Sequence, residues 1–361
     1  MKNKISVALE NRSYDIVIDT NSIEYLVEFL SKKNYSKIFV ITDENVATLH
    51  LPRLEEVLKK TNIAAQTIVT KAGEQTKSFA SLSKICEEIL AKGIDRKSLI
   101  IAFGGGVIGD LSGFVASILL RGIDFIQVPT TLLAAVDSSV GGKTAINSEA
   151  GKNLIGSFYQ PQLVLCDLNF LKTLPLREVK SGYAEVVKYG FIFDADFFEF
   201  LEKNYTKIFD FDEQVLQKII TRSCQIKAEI VGRDEKENGE RALLNFGHTF
   251  GHIFETETKY SSEILHGEAV ALGMAMAAKM SQNFKMISES DFLRIKTHLE
   301  NCGFVTDYKK IRSSWSEENL ISHLYKDKKN EGGNLTFILL KKIGAAVIKK
   351  SVELNEFKKT L

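Results

Sequence analysis

Short runs of β-branched and apolar residues recur through the first half of the chain: IFVIT at 38–42, AQTIVT at 65–70, LIIAF at 99–103, DFIQV at 124–128 and LVLCD at 163–167. Helix-length segments separate several of them. Strands that are apolar on both faces and alternate with helices form parallel sheets covered on each side. The first half is therefore predicted to be an α/β layer. KISVALE and SYDIVI, flanking NRS, predict an antiparallel hairpin at its margin. The second half changes period. Apolar positions there recur at helical spacing, as in GEAVALGMAMAAKMSQNF, and all four prolines (Pro52, Pro129, Pro161, Pro175) precede residue 176. Pro175 can start a helix but not sit inside one, so the boundary is placed there. The predicted architecture is an α/β N-terminal domain with a parallel sheet, residues 1–174, plus an all-α C-terminal domain, residues 175–361. The last stretch, NLTFILLKKIGAAVIKKS, alternates enough for a small hairpin decorating it.

Composition supports two cores, since 361 residues at 44% hydrophobic content exceed what one usual domain needs. Charge narrows the partners. Lys and Arg number 47 against 46 Asp and Glu, a net charge of +1, which lacks the field of a nucleic-acid or membrane-surface binder. An anionic ligand must then be caught by a local basic cluster. The opening MKNKISVALENRSYDIVID carries no apolar run of signal-peptide length, and no later run approaches a membrane span. The cytosol is the expected compartment. Cys86, Cys166, Cys224 and Cys302 are widely spaced with no CxxC, which predicts reduced thiols and neither a disulfide framework nor a thiolate zinc site.

LIIAFGGGVIGDLSGFVAS runs from a strand through Gly104, Gly105 and Gly106 into a helical pattern, and Gly104, Gly106 and Gly109 satisfy GxGxxG. Such a turn lets backbone N–H groups approach a pyrophosphate at the positive end of a helix. Read alone, it is equally a tight turn with close helix packing. Asp43 and Asn45 end the strand IFVIT, where polar side chains face a ligand crevice or cap the next helix. GGKT at 141–144 resembles half a P-loop, but Asp137 stands where that motif needs a glycine.

Three of the six histidines fall in NFGHTFGHIFETETKYSSEILHGEAV. His248 and His252 are four apart and share a helical face, while His266 opens the next helix. Spacing alone makes His248 and His252 a ligand pair for zinc, which takes three protein ligands and keeps one open position when catalytic. Glu185, in the apolar helix SGYAEVVKYG beside Lys188, is the best carboxylate donor, because a buried charge needs a partner or a metal. Arg121, Lys143, Lys152, Lys188, Lys227 and Arg241 sit beside glycines or apolar residues and could converge on phosphate and carboxylate groups.

GGGVIGDLSGFVAS, RGIDFIQVPTTLLAAVDSSVGGKTAIN, GKNLIGSFYQP, SGYAEVVKYG, RALLNFGHTFGH and LHGEAV, in this order over residues 104–270, closely resemble the 3-dehydroquinate synthase family. GEQTK at 73–77 and DKK at 327–329 match outside that core. The resemblance implies a nucleotide-binding N-terminal domain, a helical metal-binding C-terminal domain and a homodimer. It implies that Glu185, His248 and His266 hold zinc, with cobalt equally suited, and that His252 serves substrate or proton transfer instead. For NAD it implies Asp43, Asn45, Glu74, Lys77, Gly105, Gly106, Asp110, Thr130, Thr131 and Thr173, with Lys143 and Lys152 counted at both the NAD and substrate sites. For substrate it implies Asp137, Lys143, Lys152, Asn153, Lys188, Lys227, Arg241 and Asn245. Arg121 is expected to reach across a dimer interface, and Lys328 is assigned over Lys329 within DKK. The family's GHAIE reads GHIFE here, a change expected to touch packing.

The implied reaction takes a doubly anionic seven-carbon keto-acid sugar phosphate to a carbocycle and phosphate, as in the shikimate pathway. Transient oxidation of a ring hydroxyl by NAD acidifies the neighbouring C–H for β-elimination, and re-reduction, ring opening and aldol closure follow. Rival readings are another cyclase of the same fold making an inosose, a valiolone or an amino analogue, an NAD-dependent polyol dehydrogenase, and a non-catalytic dinucleotide sensor. Lys227, Arg241, Asn245 and His252 favour a carboxylate-bearing substrate over the other cyclases, since an empty cation site is costly.

Overall fold

The computed structural model describes residues 3–326 and 335–361, and Lys328 lies outside them. The chain divides into two compact units: Met1–Pro175 with Leu216–Lys236, and Leu176–Val215 with Glu237–Leu361. A single cut after residue 174 does not describe this partition. Most of the helix Glu213–Arg233 returns to the first unit, where Cys224 Sγ lies 3.3 Å from the Ala135 carbonyl and Lys227 bonds Asp137. An amphipathic helix carries the same pattern whichever core it serves, so periodicity could not assign it.

In the first unit the strands are β1 (Asn3–Val7), β2 (Tyr14–Asp19), β3 (Lys37–Asp43), β4 (Ala64–Thr70), β5 (Ser98–Gly104), β6 (Phe125–Pro129), β7 (Lys143–Ser148), β8 (Gly151–Phe158) and β9 (Leu163–Asp167). Seven form one sheet in the order β1-β2-β9-β6-β5-β3-β4. It is parallel throughout except for β1, which pairs antiparallel with β2. Alternation along β3 and β5 sends Ile38, Val40, Leu99 and Ile101 to one face with Leu54, Val57 and Leu58 of the helix Glu44–Lys59. Phe39, Ile41 and Ile100 pack on the other face with Leu82 and Ile85 of Phe79–Ala91 and Leu111 and Val115 of Gly106–Ile118. The chain steps from β3 outward to β4 and then returns to β5 on the far side of β3. In open parallel sheets ligands bind beyond the carboxyl ends of the strands at such a reversal, and Asp43 and Gly104 end β3 and β5 there. The β7–β8 hairpin was not legible as strands, because KTAINS and GKNLIGSF carry no continuous apolar run and β8 is largely exposed.

The second unit is helical, built on Leu176–Ile192, Ala195–Phe209, His248–Glu257, His266–Asn283, Glu289–Asn301 and Glu317–Lys326, with one hairpin of β10 (Leu335–Lys342) and β11 (Ala345–Val352). This hairpin closes the core and is more than decoration. Leu335, Phe337, Leu339 and Leu340 are buried, the Leu340 N–H donates to Ser281 Oγ at 2.9 Å, and Phe337 packs on Phe250 at 5.1 Å between ring centroids. Among the described residues no helix is long and apolar enough to cross a membrane.

Candidate functional site

In the second unit, glycines set how closely three helices approach. A Cβ on Gly267 would stand 1.9 Å from the Ser181 carbonyl oxygen, and one on Gly273 would stand 2.0 Å from that of Gly247. Their absence lets the start of His266–Asn283 lie against Leu176–Ile192, which carries Glu185, and lets its middle lie against the start of His248–Glu257. The ligand atoms of Glu185, His248 and His266 consequently fall within 4.8 Å of one another, and among the described residues theirs is the group of this kind able to hold a metal ion.

Glu185 Oε1 lies 3.6 Å from His248 Nε2 and 3.5 Å from His266 Nε2. A tetrahedral ion with bonds of about 2.1 Å separates its ligands by about 3.4 Å, so the observed edges fit. Each imidazole is also held from behind. His248 Nδ1 is 3.3 Å from the Phe246 carbonyl, and His266 Nδ1 is 3.3 Å from Glu255 Oε1. With acceptors behind both Nδ1 atoms, the two Nε2 atoms on the Glu185 side are the ones that would bind a metal, the usual outer arrangement of a metal-bound histidine. Glu185 is fully buried, and its second oxygen meets the Lys188 ammonium, itself buried. Two neutral imidazoles and one carboxylate, with a position left open, suit zinc or cobalt. Burial works to lower the His266 pKa, but Glu255 and Glu185 outweigh it and the net direction is upward. Protons therefore compete with a metal for this nitrogen.

The spacing-based pairing of His248 with His252 is corrected by this geometry. Their rings are neighbours, 5.6 Å apart at 86°, yet the His252 side chain is 47% exposed and its Nε2 faces Glu255 Oε2 at 4.0 Å. One turn further along the helix, it points past the cluster. Of the other residues expected here, Arg241 is buried and Asn245 Nδ2 donates to Glu237 Oε1 at 2.5 Å. Glu255 escaped notice in the sequence, although it follows His248 by seven and His252 by three and so lies on their stripe.

In the first unit, β5 ends at Gly104 and the helix Gly106–Ile118 begins with Gly105 as its N-cap, a residue with no side chain to cap the first N–H groups. A Cβ at Gly105 would meet Thr131 Cγ2 at 3.0 Å. This is a backbone cradle for an anion at a helix N-terminus, placed at the switch point of a parallel sheet, and it fits a dinucleotide. Thr130 N–H donates to the Gly104 carbonyl at 3.0 Å, and Thr131 Oγ1 accepts from Ala134 N–H at 3.2 Å. Below the turn, Lys77 Nζ bonds Asp110 Oδ2 at 2.7 Å and also contacts Asn153 Oδ1. Glu74 Oε1 accepts from Asn147 at 2.8 Å, and Asn147 Oδ1 accepts from the Asn153 N–H at 2.9 Å. Glu74, Lys77, Asp110 and Asn153 are thus one connected network. Lys227 Nζ bonds both Oδ1 (2.8 Å) and the carbonyl (2.5 Å) of Asp137.

Other expected residues are spread more widely. Asp43 caps the helix Glu44–Lys59, accepting from Asn45 and Val46 N–H at 2.9 and 3.1 Å, which is the simpler of its two readings, and Asn45 is exposed. Thr173 Oγ1 lies 2.8 Å from His50 Nε2. Lys143 is exposed at the start of β7 and Lys152 is half-buried on β8. Arg121 is exposed and holds a left-handed φ of 69°. All four cysteines are free, three of them buried.

Family models described as 3-dehydroquinate synthase N-terminal and C-terminal match residues 67–181 and 182–330. The 3-dehydroquinate synthase of Bartonella quintana (strain Toulouse) is 50% identical over 356 residues, covering 96% of this chain and 94% of that protein. That of Rhodopseudomonas palustris (strain TIE-1) is 47% identical over 355 residues, covering 97% and 93%. Among solved structures, a 2-deoxy-scyllo-inosose synthase complexed with carbaglucose-6-phosphate, NAD+ and Co2+ superposes with a TM-score of 0.90 at 27% identity, over 99% of this chain and 98% of that one. A 2-epi-5-epi-valiolone synthase from Streptomyces hygroscopicus subsp. jinggangensis 5008, with NAD+ and Zn2+ bound, superposes at 0.88 and 25% identity, over 98% and 97%. With both halves matched by the family models and nearly half its residues shared along almost its whole length, the chain belongs to the 3-dehydroquinate synthase family.

Proposed function

We propose that this protein converts 3-deoxy-D-arabino-heptulosonate 7-phosphate to 3-dehydroquinate and inorganic phosphate, with NAD and a zinc or cobalt ion as cofactors. The observation that carries the proposal is the Glu185, His248 and His266 constellation, whose ligand atoms lie within 4.8 Å of one another; three protein ligands are what a catalytic zinc takes. Bound NAD supplies a reversible oxidation of one ring hydroxyl, and the bound metal supplies charge stabilisation at that oxygen. Every remaining task falls to side chains of this chain. In the first unit, Gly105 and Gly106 offer N–H groups to the pyrophosphate, with Asp43, Asn45, Glu74, Lys77, Asp110, Thr130, Thr131 and Thr173 around the nucleotide. Lys143, Lys152 and Asn153 hold the leaving phosphate, which can itself take the proton released in the elimination. Lys227, fixed by Asp137, supplies a positioned cation.

In the second unit, Arg241 and Asn245 bind the carboxylate end and keep the chain conformation needed for aldol closure. Lys188 neutralises Glu185 and adds a donor, and His252, half-exposed and backed by Glu255, passes protons to and from substrate. A homodimer is proposed as well, supported by the exposed position of Arg121. A cytosolic location accompanies it, because the reaction draws on an NAD pool and a phosphorylated sugar.

The test is incubation with the seven-carbon substrate, NAD and zinc, reading phosphate and the ring product together. Stoichiometric release of both without net NADH is expected. Accumulating NADH would indicate a polyol dehydrogenase, and nucleotide binding without turnover a sensor. Sedimentation at micromolar concentration tests the dimer.

A further inference from the structure

We infer that Glu255 is a positioning residue that sets the His266 imidazole for metal binding with one carboxylate oxygen, while its other oxygen faces His252. The inference rests on the metal centre proposed above and assigns a task to a residue outside it. His248, His252 and Glu255 occupy positions i, i+4 and i+7 of one helix, so they form a single stripe. Glu255 is 3% exposed, and a carboxylate withdrawn this far from water must be held by donors. Its oxygens face different partners: Oε1 lies 3.3 Å from His266 Nδ1, and Oε2 lies 4.0 Å from His252 Nε2.

His266 is the first residue of its helix, with its side chain 33% exposed. Backbone packing alone does not select its ring orientation or tautomer. The Oε1 contact bears on both, because a carboxylate behind Nδ1 keeps Nε2, on the Glu185 side, as the metal-binding nitrogen, and the negative charge behind the ring strengthens its bond to a metal. Ile253 and Phe254, immediately before Glu255, are buried, and Phe254 stacks near Tyr308 and Trp315. Those contacts hold the helix turn that carries the carboxylate, so Glu255 is fixed from behind while its oxygens face the two histidines.

The experiment compares purified wild-type protein with Glu255→Gln, Glu255→Ala and Glu255→Asp. Zinc and cobalt(II) affinities are measured by chelator competition, together with the visible spectrum of the cobalt form and circular dichroism for the fold. Glu255→Ala is expected to bind zinc about 100-fold more weakly and Glu255→Gln, whose amide oxygen still accepts, about 10-fold more weakly. Altered cobalt bands should accompany both, and Glu255→Asp should recover part of the affinity. Should the alanine variant fail to fold, the near-isosteric glutamine variant carries the test. Zinc affinities within about twofold of wild type and unchanged cobalt spectra would overturn the inference. Glu185→Gln, run in parallel, separates the two levels. If it loses zinc while the Glu255 variants keep it, only the role of Glu255 fails; if it too keeps zinc, the metal centre fails and the inference with it.

Discussion

Gly267 meets the backbone of Ser181 so closely that a Cβ on it would stand 1.9 Å from the Ser181 carbonyl oxygen. The contact pins the helix start bearing His266 against the helix bearing Glu185. Gly267→Ala must therefore part the two helices, since backbone cannot yield as a flexible side chain does. We expect a loss of about 1–3 kcal/mol in urea unfolding, the usual cost of overpacking, and a lower zinc content at the same protein concentration. A variant with full zinc and unaltered stability would mean that the approach does not set the ligand geometry.

Glu185 lies among apolar neighbours with the Lys188 ammonium on one oxygen and two imidazoles facing the other. Glu185→Ala should lose metal and turnover while circular dichroism still reports the native fold. It also strands Lys188 without its carboxylate, and breaking a buried pair from one side costs about 3–5 kcal/mol. Adding Lys188→Met should return part of that stability and none of the zinc. Normal zinc in Glu185→Ala would remove Glu185 from the site.

Lys152 sits half-buried on β8, next to Asn153, which is tied through Asn147 and Lys77 to Glu74 and Asp110. If Lys152 serves the leaving phosphate, Lys152→Ala should weaken phosphate-bearing ligands far more than NAD. A charge-assisted contact contributes about 1.5–3 kcal/mol, or a factor of about 10–100 in affinity. Titration calorimetry with substrate phosphate and with NAD separates the two, and equal weakening of both would contradict this assignment.

Much of the fold was legible because it depends on period. The five Val- and Ile-rich runs are strands of one sheet, and the helical pattern after Pro175 continues as helices. What spacing could not supply was direction in space. His248 and His252 satisfy a ligand pair on paper, but choosing between His252 and His266 depends on how two helices cross, and that crossing is set by Gly267 and Gly273 against distant backbone. The resemblance to a family made that choice; the i, i+4 rule did not. Lys227 illustrates the same limit, since its bond to Asp137 spans 90 positions. Glu255 carries a signal in the same pattern, lying three residues after His252 and seven after His248 on one helical face.

His298, on the helix Glu289–Asn301, offers a pH test away from the metal centre. It is 4% exposed, with the Tyr183 hydroxyl 2.8 Å and the Cys302 thiol 3.6 Å from its Nε2. Burial, aided by the Arg294 guanidinium, lowers its pKa to about 4. Arg294 is itself paired with Glu202 at 2.9 Å, which limits its share. The unfolded chain binds a proton near pH 6.5, so between about pH 6.5 and pH 4 the unfolded state takes up a proton that the folded state refuses. Stability associated with this residue is thus intact above about pH 6.5 and drains away as the pH falls, by about 2 kcal/mol between pH 7 and pH 5. His298→Gln cannot titrate, and its urea-unfolding free energy should fall less than that of the wild type over this interval, by about the same 2 kcal/mol. Parallel losses in the two proteins would show that His298 is not held neutral by its surroundings.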